Sequence, residues 1–113
     1  MKINEYQELA LRTANTVAME DPIEKITNGA MGLNGEAGEV IDHLKKFKYQ
    51  GHELDRSHLA KELGDICWYV ALLADGIGYD LETIMQMNID KLKKRYPRGF
   101  EIERSLYRKS EDK

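Results

Sequence analysis

Two pairs of carboxylates, Glu36-x-x-Glu39 and Glu62-x-x-Asp65, constrain this chain more than any other feature. Each lies in a run whose apolar residues recur at helical spacing, so both acids of a pair project from one side of a helix, about a turn apart. At about 100° per residue, Met31, Leu33, Ala37, Val40, Leu44 and Phe47 form one core-facing stripe with Glu36 and Glu39 beside it. Leu59, Leu63, Ile66, Val70, Leu73 and Ile77 form a second, with Glu62 and Asp65 at nearly the same offsets. Antiparallel packing through these stripes would bring all four acids to one cleft. Four uncompensated carboxylates repel one another and raise their own pKa values. A hard divalent cation removes that conflict, and Mg²⁺, with Mn²⁺ as the alternative, suits an all-oxygen donor set.

The rest of the chain reads as helix throughout. Asn4-Glu5-Tyr6-Gln7 has the outline of a cap, and Ile3, Tyr6, Leu9, Ala10, Thr13 and Val17 predict a helix over about 4–19. Asp21-Pro22 starts the next, which runs to about Lys48 with an irregularity near Asn28-Gly29 and stops at Gly51. Asp55 caps a third, ended by Gly78, and Asp80 a fourth, closed by Pro97. Short connections make an all-α, four-helix up-and-down bundle the expected fold. Trp68 and Leu72 point away from the expected stripe of the third helix. They suggest a subunit interface, favoured over a ring lining a ligand pocket.

At 113 residues and a net charge of −3, the chain fits one small domain with a modest core, for which oligomerisation is expected. No net basic field favours a nucleic-acid polymer. The single Cys67 sits in an apolar run and reads as a small buried hydrophobe in a reducing compartment. The N-terminal residues form a charged amphipathic segment, not a signal peptide, and the longest apolar run, Ile66 to Ala74, is far short of a membrane span. A cytoplasmic protein without a membrane partner is expected.

On the fourth helix Asn88, Lys91 and Arg95 fall along one side. Lysine offers phosphate a point charge, arginine a bidentate fork and asparagine a donor or acceptor. Cations near a helix C-terminus are also favourable without any ligand. Beside a carboxylate-bound metal, such an edge becomes a phosphate clamp. Lys46, two turns beyond Glu39, reads as a solvated lysine that could join it.

The acid pairs in their settings Gly-Glu-Ala-Gly-Glu-Val and Glu-Leu-Gly-Asp-Ile, followed by Asn88-x-x-Lys91 and Arg95-Tyr96-Pro97, closely resemble the MazG-like all-α nucleoside triphosphate pyrophosphohydrolases. The likeness runs from Glu5-Tyr6-Gln7 to about Phe100. It implies a helical catalytic domain over 1–100 with a charged tail over 101–113, assembled as a homodimer or homotetramer. It implies Mg²⁺-dependent hydrolysis between the α and β phosphates of a (d)NTP, giving (d)NMP and pyrophosphate, as in nucleotide-pool cleaning. Glu36, Glu39, Glu62 and Asp65 are then metal ligands, Glu36 and Glu39 catalytic, and Asn88, Lys91 and Arg95 phosphate or sugar contacts. Many relatives carry a further acid directly before the first motif glutamate, where this chain has Gly35. The number of metals and the water-activating base stay open at this point.

Three alternatives compete. A di-iron bundle needs Glu-x-x-His pairs, and none occurs here; His43, His52 and His58 read as surface or capping residues. A phosphoribosyl-ATP pyrophosphohydrolase would share fold and metal site. A non-catalytic helical dimerisation module would leave the acids as a solvated face.

Overall fold

The structure, a computed structural model, describes residues 1–108. It is all-helical: α1 (Ile3–Leu11), α2 (Pro22–Tyr49), α3 (Arg56–Gly76), α4 (Leu81–Arg95) and the short α5 (Ile102–Leu106). No strand occurs among the described residues. The chain divides into two compact units, the first ending at Leu81 and the second beginning at Glu82. In the first, α3 packs against both α1 and α2. The second holds α4 beyond its first residue, and α5.

The caps expected for the two long helices form. Asp21 accepts from the Ile23 N–H at 2.9 Å and Pro22 opens α2, while Asp55 accepts from the His58 N–H at 3.0 Å to open α3. Gly51 and Gly78 take positive φ, +75° and +80°, and carry the chain out of these helices.

Helix α1 departs from expectation. It begins at Ile3 after Lys2, and it stops at Leu11 instead of running to residue 19. The Ala10 carbonyl accepts from the Thr13 N–H (3.0 Å), the Thr13 hydroxyl (2.7 Å) and the Trp68 indole N–H (3.0 Å). A carbonyl so occupied has left the i→i+4 ladder, and the following residues run in turns, one of them fixed by Asn15 Oδ1 accepting from the Ala18 N–H at 3.1 Å. Gln7 caps nothing locally. It is buried, donates to the carbonyls of Ala71 (3.2 Å) and Tyr79 (3.4 Å), and accepts from the Leu81 N–H (2.9 Å). One side chain thus ties α1 to α3 and to the turn that follows it.

Helix α2 is continuous, without the irregularity expected near Gly29. Glycine serves close approach there: a Cβ at Gly29 would lie 2.8 Å from Leu73 Cβ, and one at Gly32 would collide with the Tyr69 ring. The partners run in descending order, Leu73 opposite Gly29, Tyr69 opposite Gly32, Asp65 opposite Glu36 and His58 opposite His43. Helices α2 and α3 are therefore an antiparallel hairpin.

Leu72 is fully buried, which overturns its reading as an outward interface residue. Trp68 packs partly on the core of Ala10, Ala71 and Leu81. The sequence reading gave α3 a single buried stripe, but α3 has packed neighbours on two sides, and its C-terminal half is accordingly apolar nearly all round. Conversely Met31, Leu63 and Ile77, assigned to core stripes, are 70, 57 and 51 % exposed. Cys67 is exposed, not buried. In the expected tail, residues 102–106 form α5, while 109–113 lie outside the described residues.

Candidate active site

Glu36 on α2 and Glu62 and Asp65 on α3 converge, each offering a carboxylate oxygen within 4.8 Å of the others. The hairpin register causes this, because it sets the middle of α2 across from the first half of α3. Glu36 and Glu62 are half-buried and Asp65 is exposed. The Glu36 carboxyl is held above the usual carboxylate range, first by a hydrogen bond shared with Glu62, then by burial and by the charges of Asp65, Glu62 and Glu39. Carboxyls crowded together in this way are a place where a cation can relieve their repulsion.

The donor set fits a hard cation. Adjacent oxygens around an octahedral Mg²⁺ stand about 3.0 Å apart and opposite ones about 4.2 Å, from a metal–oxygen distance of about 2.1 Å, so the three oxygens, within 4.8 Å of one another, would close in by side-chain rotation to share one ion. Glu39, one turn beyond Glu36, is exposed and outside the trio, although close enough to raise Glu36. Three of the four expected acids are thus brought together, with the fourth alongside.

Two features beside the acids were not foreseen. His58 Nε2 lies 3.3 Å from Glu62 Oε1, and its ring stands 5.4 Å from that of His43, which itself accepts from the Asp55 N–H at 3.1 Å. The His58-x-x-x-Glu62 spacing carried that signal, since residues four apart share a helix face. The second is a cavity of about 340 Å³ lined by Glu36, Asp65, Trp68 and Tyr69. A larger one, about 480 Å³, lies at the α2–α3 connection around His43, His52 and Arg56 and contains none of the three clustered acids. Near the site the Tyr6 hydroxyl is pushed up by burial, then by Cys67 and Asp65.

Lys46 pairs with Asp42 at 2.9 Å, which draws Asp42 down and raises Lys46. Asn88, Lys91 and Arg95 all lie on α4. Asn88 and Lys91 are exposed. Arg95 is half-buried, its Nε and Nη2 shielded from solvent without a hydrogen-bond partner, and its guanidinium carbon is 5.9 Å from the Tyr96 ring centre.

Comparison with known proteins points the same way. The family model of the MazG nucleotide pyrophosphohydrolase domain matches residues 24–100, a span that runs from the first turn of α2 through α3 and α4 and holds Glu36, Glu39, Glu62 and Asp65. Gene 37 protein of Mycobacterium phage L5 is 41 % identical over 83 residues, covering 70 % of this chain and 73 % of that protein. No solved structure matches. The chain belongs to the MazG nucleotide pyrophosphohydrolase family.

Proposed function

We propose that the protein is a Mg²⁺-dependent nucleoside triphosphate pyrophosphohydrolase, cleaving (d)NTP to (d)NMP and pyrophosphate. The observation that carries this reading is the meeting of Glu36, Glu62 and Asp65 inside the span matched by the family model. These three hold the cation, with Mn²⁺ as the substitute, and Glu39 supplies a fourth oxygen. The bound ion would supply charge neutralisation on the phosphates and a water of lowered pKa. A cation there would relieve the repulsion among the three carboxylates, and His58, with Nε2 3.3 Å from Glu62 Oε1, keeps Glu62 in place.

Phosphate or sugar contacts are proposed for Asn88, Lys91 and Arg95 on their own chemistry. Arg95 supports this best, because two shielded guanidinium nitrogens without an acceptor suit an anionic ligand. A homo-oligomer is proposed through the exposed apolar residues of α2, Ile23, Met31 and Ile41, and not through Leu72. These three lie on the α2 side turned away from Gly29 at about 100° per residue. No helix among the described residues is long and apolar enough to cross a membrane; a cytoplasmic enzyme acting on free nucleotides is the proposed setting.

A panel of ribo- and deoxyribonucleoside triphosphates and phosphoribosyl-ATP, with and without Mg²⁺, tests the proposal. Monophosphate and pyrophosphate from the triphosphates are expected. Turnover confined to phosphoribosyl-ATP would replace the substrate, and no turnover of any of them would favour the non-catalytic module.

A further inference from the structure

The lining of the cavity beside the acids is of two chemical kinds. Glu36 and Asp65 contribute carboxylates to its lining, and Trp68 and Tyr69 contribute aromatic residues whose ring centres are 5.0 Å apart with planes nearly perpendicular at 84°. We infer that the Trp68 ring is the surface on which the nucleobase of the substrate rests, and that it selects bases by stacking area rather than by their hydrogen-bonding edges. The triphosphate part of this inference rests on the pyrophosphohydrolase reading above; the assignment of the ring does not.

The indole has no free donor to offer. Its Nε1–H points to the Ala10 carbonyl at 3.0 Å and to Thr13 Oγ1 at 2.8 Å, and the Thr13 hydroxyl itself donates to Ala10 at 2.7 Å. Indole nitrogen has only this one hydrogen, so what the ring presents to the cavity is carbon and π surface. The same bonds hold the ring from the end of α1, and core packing on Ala10, Ala71 and Leu81 holds it from beneath. Tyr69 is seated against Gly32, where any side chain would meet its ring. Both rings are thus in place before a ligand arrives, and little ordering cost falls on binding.

A ligand spanning this cavity needs a polyanionic end that a carboxylate-held cation can take and a flat apolar end for the rings. A nucleotide has both. Every base has a π face, so stacking tolerates all four and favours the larger purines. The expected specificity is broad, with purine nucleotides ahead of pyrimidine ones and little discrimination within either class.

Trp68 is the single tryptophan of the chain, so fluorescence excited beyond the absorption of its six tyrosines reports this ring alone. The full chain would be titrated with AMP, GMP, CMP, UMP and inorganic tripolyphosphate, each in the presence of Mg²⁺. The monophosphates should change the emission, the purines at lower concentration, while tripolyphosphate changes it little. In steady-state assays Trp68→Leu should raise KM for triphosphates about tenfold, with a smaller effect on kcat and none on Mn²⁺ affinity. Trp68→Phe, which keeps a ring but loses both hydrogen bonds, should recover most of the KM effect. Nucleotides that are turned over without altering Trp68 emission would overturn the inference, as would a folded Trp68→Leu variant with unchanged KM. If that variant does not fold, the wild-type titration decides alone. Emission changes without turnover would refute the enzymatic reading and leave the ring assignment standing.

Discussion

The α2–α3 hairpin presents different residues to its interface along its length. In the half built on Gly29 and Gly32, the two backbones approach so closely that a β-carbon has no room against Leu73 or Tyr69. In the half that carries the acids, Glu36 and Asp65 take the facing positions, and Gly35, Gly38 and Gly64 lie off that face, with nothing among the described residues within 4 Å of the place a β-carbon would take. Each of these helical glycines costs about 1 kcal/mol relative to alanine. Close packing offsets that cost in the first half. In the second no contact among the described residues does so, and the bare backbone lies beside Glu36, Glu39 and Asp65, where an ion, a substrate or a second copy can come near. One half of the hairpin secures the register, and the other half uses that register to gather carboxylates.

The largest effect is expected in the open half. Glu62→Gln or Asp65→Asn should lower turnover about 100-fold or more, roughly 2.7 kcal/mol of transition-state stabilisation, with the fold retained. Full activity of either variant at saturating Mg²⁺ would break the division of labour between the two halves. Smaller effects come from the glycines. Gly32→Ala forces a methyl group against the Tyr69 ring and should destabilise by about 1–3 kcal/mol in chemical denaturation. Gly35→Ala meets nothing and should be neutral or up to about 1 kcal/mol stabilising through helix propensity. Equal responses from the two would erase the packing contrast.

The smallest effect is a pH dependence. Because the folded-state pKa of Glu36 is raised, the folded chain binds more protons than the unfolded one between the ordinary glutamate value and the raised one. Stability of the metal-free protein should therefore fall as pH rises through that window, and Glu36→Gln should flatten the fall. Asp42, drawn down by Lys46, has the opposite sign: its contribution is present above its unfolded pKa and is lost as pH falls through the lower folded one. Thermal melts across the acid range separate the two. Mg²⁺ affinity should climb with pH over the Glu36 window, since the ion competes with protonation of Glu36.

Much of the acid-bearing hairpin was legible in the sequence, because its signals are local. Spacing of three put each acid pair on one helix face, Asp21 and Asp55 capped as their side chains allow, and a short connection required antiparallel neighbours. What escaped depends on partners distant in sequence. Nothing near Ala10 announces that Trp68 will draw its carbonyl out of the helix, so α1 was read as several residues longer than it is. A single-stripe view cannot show that α3 has α1 on one side and α2 on another, which is why Leu72 was placed outside and Leu63 inside. Asn28-Gly29 reads as a flaw in α2, because only the facing residues reveal close approach.

Electron paramagnetic resonance titration of Mn²⁺ into the full chain tests most directly whether the open half of the hairpin is a metal centre. Saturable binding is predicted for the wild type, weakened about tenfold or more in Glu62→Gln and Asp65→Asn and unchanged in Lys46→Ala, whose side chain pairs with Asp42. Binding as tight in Glu62→Gln and Asp65→Asn as in the wild type would contradict the assignment.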